Sequence, residues 1–152
     1  MSAEAKLDEL GIVLPKPPKA MGSYVTMKTH GGLAYVAGHS PMRDDGSLIA
    51  GRVGEEFDVE GAQGIARYIG LEILATLQEK LGSLDRVTGV VKVLGLVNAV
   101  PGFEQHPTVI NGCSDLFVEV FGESGKHARS AVGAGSLPGN IPVEIEAIFT
   151  YE

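Results

Sequence analysis

The sequence predicts an α+β fold: one mixed sheet with two helices packed on one face. Three features of the 152-residue chain carry that expectation. Apolar residues switch repeatedly between two-residue spacing and three-to-four-residue spacing. Two runs long enough for several helical turns alternate with strand-like segments. One of those segments, Val87 to Val97, is apolar on both alternating sides, so both sides need cover.

Taken in order, Ala3 to Leu10 suits a short amphipathic helix stopped by Gly11, and the prolines of Leu14 to Ala20 keep that segment extended. Tyr24 to Thr29 reads as a strand, and Gly31-Gly32 turns it into a second, Leu33 to Ala37. A polar loop follows, with a short third strand expected at Ser47 to Ala50. Asp58 caps the longest helix, whose stripe of Ala62, Ala66, Ile69, Ile73, Leu77 and Leu81 ends at Gly82. Arg67, Glu72, Gln78, Glu79 and Lys80 fall on its other faces. After the Val87 strand, a second helix over 108–121 presents Ile110, Cys113, Phe117 and Val120 on one stripe. Ala128 to Ala134 and Val143 to Tyr151 close the chain as strands, joined by a Leu-Pro-Gly-Asn turn.

With both helices on one face, the other face lacks a cover. Val90, Leu94, Leu96 and Ile148 are its expected apolar residues, and a patch of that kind predicts self-association. Composition limits the function. A formal net charge of -7, with no concentrated basic stretch, disfavours nucleic-acid binding. No apolar run approaches the roughly 20 residues of a membrane span, and the acidic opening residues do not suit a secretory signal, so a cytoplasmic protein is expected. Cys113 is the only cysteine and reads as a buried small residue rather than a nucleophile. The four histidines lack the spacing of a helix-borne zinc site, and nothing implies a cofactor.

The stretch His127-Ala-Arg-Ser-Ala-Val-Gly-Ala-Gly-Ser-Leu-Pro-Gly-Asn-Ile-Pro-Val-Glu-Ile-Glu-Ala147 resembles the signature of the Rid (YjgF-like) family. That signature is an arginine opening a strand, a Leu-Pro turn, and a strand reading V-E-I-E-A. Tyr35-Val-Ala-Gly-His-Ser-Pro41, the Val59 to Leu81 helix and Thr108-Val-Ile-Asn111 fall in the family's order. The resemblance runs from Gly22 to Glu152, leaving residues 1–21 as an N-terminal extension of a single domain. It implies a chorismate-mutase-like fold and a homotrimer with clefts between subunits. The implied activity is hydrolysis of reactive enamines and imines, of the 2-aminoacrylate type, to 2-keto acids and ammonia.

The same resemblance assigns residues. Arg129 matches the arginine that holds the substrate carboxylate, a task for which a charged planar fork is suited. Its alternative is a surface ion pair with a neighbouring glutamate. Glu144 matches the glutamate that orients or activates water, and is otherwise a solvated carboxylate. Tyr24, Gly38, Asn111 and Ala131 match substrate-contacting positions. In plainer terms Tyr24 packs at a strand edge, Gly38 makes a turn, and Asn111 bonds its own backbone. Ala37, His39 and Ala131 depart from the family's usual serine, glutamine and cysteine. His39 either replaces a lost polar contact or faces water in its loop. Two further functions stay open: a non-catalytic trimeric binder of small carboxylates, and a protein acting on RNA.

Overall fold

The computed structural model describes all residues, 1–152. Its elements are helix α1 (Ala3–Leu10), strands β1 (Met27–His30) and β2 (Leu33–His39), helix α2 (Val59–Leu81), strand β3 (Val87–Asn98), helix α3 (His106–Phe121), and strands β4 (Ala128–Ala134) and β5 (Val143–Tyr151). The five strands form one sheet in the order β1-β2-β5-β3-β4. All pairs are antiparallel except β3 with β4, which are parallel and joined through α3. The sheet is mixed, as expected, and β4 is an edge.

Local chemistry fixes the helix ends. Asp58 accepts from the Gly61 amide at 2.7 Å and caps α2, while Gly82 ends it in the left-handed conformation at φ 88°. Helix α3 begins two residues before the expected start, because Pro107 fits the first turn, where no amide hydrogen is needed. Both helices cover the same sheet face. Ala34, Val36, Val93, Val97, Ile145, Ala147 and Phe149 from the strands meet Ile69, Ile73, Leu77, Ile110, Cys113 and Phe117 from the helices, all buried. The N-terminal extension belongs to this core too. Ala3 and Leu7 are buried in it, and the Glu4 carboxylate accepts from the Leu84 amide at 2.8 Å.

Three expectations are corrected. Strand β1 starts at Met27 and not at Tyr24, because β2 bulges between Val36 and His39 and the ladder ends there. Ser47 to Ala50 makes no strand; a single bridge between Met42 and Leu48 closes a tight loop instead. Val90 faces the core, since register shifts at Val87/Gly89 and Val90/Lys92 reverse the alternation that one uninterrupted strand would keep. Glu72, off the apolar stripe of α2, is nonetheless only 1 % exposed. Leu94, Leu96 and Ile148 do lie on the face away from the helices and are half-buried, with Tyr35 and Val132 exposed nearby.

Helices α2 and α3 touch at backbone distance. A methyl group at Gly112 would stand 2.0 Å from the Gln63 carbonyl oxygen, whereas one at Gly64 of α2 meets nothing within 4 Å. Gly112→Ala is therefore expected to cost about 3 kcal/mol or more through forced separation of the helices. Gly64→Ala should stabilise by about 0.5–1 kcal/mol through reduced chain entropy. Urea unfolding of both variants checks the pair; equal effects would contradict the packing described.

Candidate functional site

The sequence-predicted residues gather into two groups on opposite faces of the sheet. Arg129 stands on β4 opposite Val93, a core-facing position, so its side chain leaves the sheet on the helix side. Because β4 is an edge strand, the side chain reaches α3 without crossing the core. There Asn111 and Ser114, three residues apart on one helix face, both accept from Nη1, at 2.7 and 3.1 Å. Asn111 thus meets Arg129 and does not cap its own helix. Ala131, two residues along β4 on the same side, packs its methyl against the core, which leaves its backbone as its polar part.

Arg129 forms no ion pair: the salt bridges of the chain are Lys6–Glu9, Arg52–Glu55, Arg67–Glu119, Glu79–Lys80 and Glu123–Lys126. Its partners are neutral, and both lie on Nη1. The Nε–Nη2 edge, the edge that grips a carboxylate through two parallel bonds, has no protein acceptor. A charged fork is oriented from behind and open in front.

Two residues of this network were not picked out as site residues in the sequence. Ser114 also bonds His127 Nε2 at 3.0 Å, and His127 Nδ1 donates to the Gly125 carbonyl at 2.7 Å. That carbonyl fixes the tautomer, so Nε2 accepts from the serine hydroxyl and the serine oxygen accepts from Arg129. Burial lowers the His127 pKa; the Gly125 carbonyl opposes the shift and the Arg129 charge adds to it. A neutral ring beside the guanidinium is the result. The available signal was position: His127 lies two residues before Arg129 on the same strand approach.

The second group is Glu144 and Gly38. Glu144, on β5, pairs with Leu96 of β3 and points away from the helices, half-buried. A methyl at Gly38 would lie 3.0 Å from Glu144 Oε2, so the glycine leaves room for the carboxylate against the β2 backbone. Burial raises the Glu144 pKa above the ordinary value, and the neighbouring Glu146 charge raises it further. Glu144 and Arg129 sit two strands and three residues apart, so their Cα atoms are roughly 14 Å from each other with side chains on opposite faces. Within one chain they share no site.

His39 needs correction, and Tyr24 joins neither group within one chain. His39 neither faces water nor joins Glu144: past the bulge it pairs with Ile145 and turns to the core, 2 % exposed. Its Nδ1 donates to the Ala37 carbonyl at 2.7 Å, and Nε2 accepts from the Thr76 hydroxyl of α2 at 2.8 Å. Burial lowers its pKa, with the Ala37 carbonyl opposing. Tyr24 lies ahead of β1, 50 % exposed, its hydroxyl accepting from the Met21 amide at 3.2 Å. It contacts neither group.

No three His, Cys, Asp or Glu side chains are grouped to hold a metal ion, and no helix is long and apolar enough to cross a membrane. Cys113 is buried between the helices, and burial pushes its thiol far above the ordinary range despite the Arg129 charge. It should therefore resist thiol reagents in the native protein and react stoichiometrically in denaturant. Rapid native labelling would show that α3 lifts from the sheet.

Comparison with known proteins agrees with this architecture. Residues 4–146 match the family described as "YjgF/chorismate_mutase-like, putative endoribonuclease". The chain is 40% identical over 145 residues to Protein TCP17 of Trypanosoma cruzi, covering 95% of this chain and 91% of that one. It is 30% identical over 138 residues to a RutC family protein of Pyrococcus abyssi, covering 90% and 93%. The crystal structure of the protein Atu1372 from Agrobacterium tumefaciens superimposes with a TM-score of 0.88 at 41% identity, covering 99% of this chain and 94% of that one. With Arg129, the Leu137-Pro138 turn, the Glu144-Ile-Glu-Ala147 strand and the five-stranded sheet already in hand, these matches establish that the chain belongs to the YjgF/Rid family.

Proposed function

We propose that the protein hydrolyses small enamines and imines of amino-acid origin to 2-keto acids and ammonia, without a cofactor, at sites built by two chains of a homotrimer. The unclaimed Nε–Nη2 edge of Arg129, held by neutral partners, carries this reading. Such a fork suits a substrate carboxylate. The opposite-face placement of Glu144 supports a site to which one chain lends Arg129, Asn111 and the Ala131 backbone, and another lends Gly38 and Glu144. The apolar outer face with Tyr35, Leu94, Leu96 and Val132 supports association of copies.

The reaction then runs as follows. The enamine tautomerises to the imine while Arg129 holds its carboxylate. Water beside Glu144 adds to the imine carbon as the carboxylate takes its proton, and the C=N electron pair moves to nitrogen. Return of that proton to nitrogen gives a carbinolamine. Its hydroxyl proton then passes to the nitrogen through Glu144 while the O–H electron pair forms the C=O bond and the C–N pair leaves on nitrogen, so imine plus water gives keto acid plus ammonia. The raised Glu144 pKa makes it a stronger base than an ordinary carboxylate. The family's description as an endoribonuclease points to an alternative, action on RNA. The net charge of -7 weighs against it.

Ammonia release from 2-aminoacrylate generated in situ tests the proposal. Arg129→Ala should lose roughly a hundredfold or more in kcat/KM, the worth of two charged hydrogen bonds; activity equal to wild type would refute the role. Neither Arg129→Ala nor Glu144→Gln should work alone. Refolded together in equal amounts they should recover about one site in four, since each supplies what the other lacks. Continued inactivity of the mixture, with both variants folded and assembled, would exclude a shared site.

A pH profile probes Glu144. The base must be ionised, so activity rises with pH through its displaced pKa. Glu146→Gln removes the lesser of the two causes of the shift and should move the acid limb part of the way toward lower pH. A limb that does not move would assign it to another group.

A further inference from the structure

The layer between the sheet and α2 is built from apolar side chains, with one polar bridge across it. Thr76 Oγ1 of α2 donates to His39 Nε2 of β2 at 2.8 Å, the single side-chain hydrogen bond that joins a strand to this helix. Thr76 is 0 % exposed and His39 2 %. A buried polar pair of this kind is tolerated only when its groups are partnered, so it selects one arrangement of the core over others. The partners continue into the backbone. His39 Nδ1 donates to the Ala37 carbonyl at 2.7 Å, and the Ala37 amide donates to the Thr26 carbonyl at 2.9 Å.

These bonds pin the β2 bulge. Val36 stands opposite Ala147 and His39 opposite Ile145, so Ala37 and Gly38 together face Glu146. Had the register run on unbroken from Val36, Gly38 would pair with Ile145 on the core face and His39 with Glu144 on the outer face. The bulge therefore decides what lies beside the Glu144 carboxylate. With the bulge, that neighbour is the Gly38 backbone, where an added methyl would stand 3.0 Å from Oε2. Without it, an imidazole takes the place. Gly38 has no positive φ, so its missing side chain serves this contact and not a turn.

We propose that Thr76 and His39 are positioning residues for Glu144: the bond between them holds the bulge, and the bulge seats the carboxylate against Gly38. This rests on the reading of Glu144 as the base of the proposed reaction. Both residues act from the core side of the sheet on a carboxylate that lies on its outer side. The electrostatics agree with the geometry. Burial holds the His39 pKa below the ordinary value, so Nε2 stays free to accept, and burial holds that of Glu144 above it. A slip that set the imidazole beside the carboxylate would lower the Glu144 pKa and raise the His39 pKa together, because each favours the charged form of the other. Glu146, the other charge acting on Glu144, lies on β5 and keeps its place, since the slip moves β2.

Magnetic-resonance titration of the Glu144 carboxyl and the His39 ring in the full chain tests this. Thr76→Val keeps the side-chain shape and removes the donor, whereas Thr76→Ser keeps the donor and loses a methyl. In Thr76→Val the Glu144 pKa should fall as the His39 pKa rises; in Thr76→Ser both should stay as in wild type, whatever stability that variant loses. In the ammonia assay Thr76→Val should lose roughly tenfold or more in kcat with little change in KM, because the Arg129 half of the site is untouched. Mixed assembly should restore its activity with Arg129→Ala and not with Glu144→Gln, since the defect sits in the Glu144 half. Unchanged titrations or unchanged kcat in Thr76→Val, equal changes in both variants, or recovery with Glu144→Gln overturns the positioning role. A wild type that hydrolyses no imine refutes the reaction instead, and the titrations alone then judge the positioning. Should Thr76→Val fail to fold, the native wild type decides. A His39 that takes up a proton at the ordinary histidine value overturns the proposal, and one that stays neutral until the protein unfolds sustains it.

Discussion

The backbone contact between α2 and α3 governs the rest of the molecule. With no side chain at Gly112, α3 sits against the Gln63 carbonyl, and with none at Gly95, Ile110 presses onto β3. The helix is therefore held against both its neighbour and the sheet. Asn111 precedes Gly112 by one residue and Ser114 follows it by two, so the contact that seats the helix also aims the two acceptors at Arg129. Their placement follows from packing density, which resists small displacements more strongly than the hydrogen bonds alone do. Core and site share one constraint.

That constraint explains why the guanidinium is preorganised without being neutralised. An acid partner would hold the arginine equally well but would compete with any anionic ligand. Asn111 and Ser114 are neutral, and His127 is kept neutral by burial and by the nearby charge. The positive charge stays available, and the open edge of the fork keeps its donors. On the far face, Gly38 and Glu146 do the corresponding work for Glu144, one by leaving space and the other by raising its proton affinity.

Much of this was legible in the residues. The Asp58 cap, the Gly82 stop and the apolar stripe gave α2 its observed bounds, because helix ends depend on local chemistry. The alternation over 143–151 gave β5 for the same reason. The misreadings arose where tertiary geometry overrode local pattern. Bulges reversed the facing of Val90 and turned His39 inward, and a bulge leaves little trace in one sequence. Glu72 broke the rule that carboxylates stay outside because the N-terminal segment and the Met42 loop cover its helix face. Arg129, Glu144 and Asn111 were read from the family resemblance, but their division between two faces was not visible before the register was known. Ser114 was missed because a serine within a helix carries no signal of its own.

The division of the proposed machinery between two faces also bears on inheritance. In the proposed assembly each chain would both lend and borrow, completing one neighbour's site with its arginine and another's with its glutamate. In a cell making intact and arginine-less copies together, a defective chain spoils only the site to which it would have lent that arginine, and its glutamate still serves elsewhere. The working fraction then follows the fraction of intact chains in direct proportion. Such a lesion would be recessive in character, and a poisoned assembly would require damage to the shared interface instead.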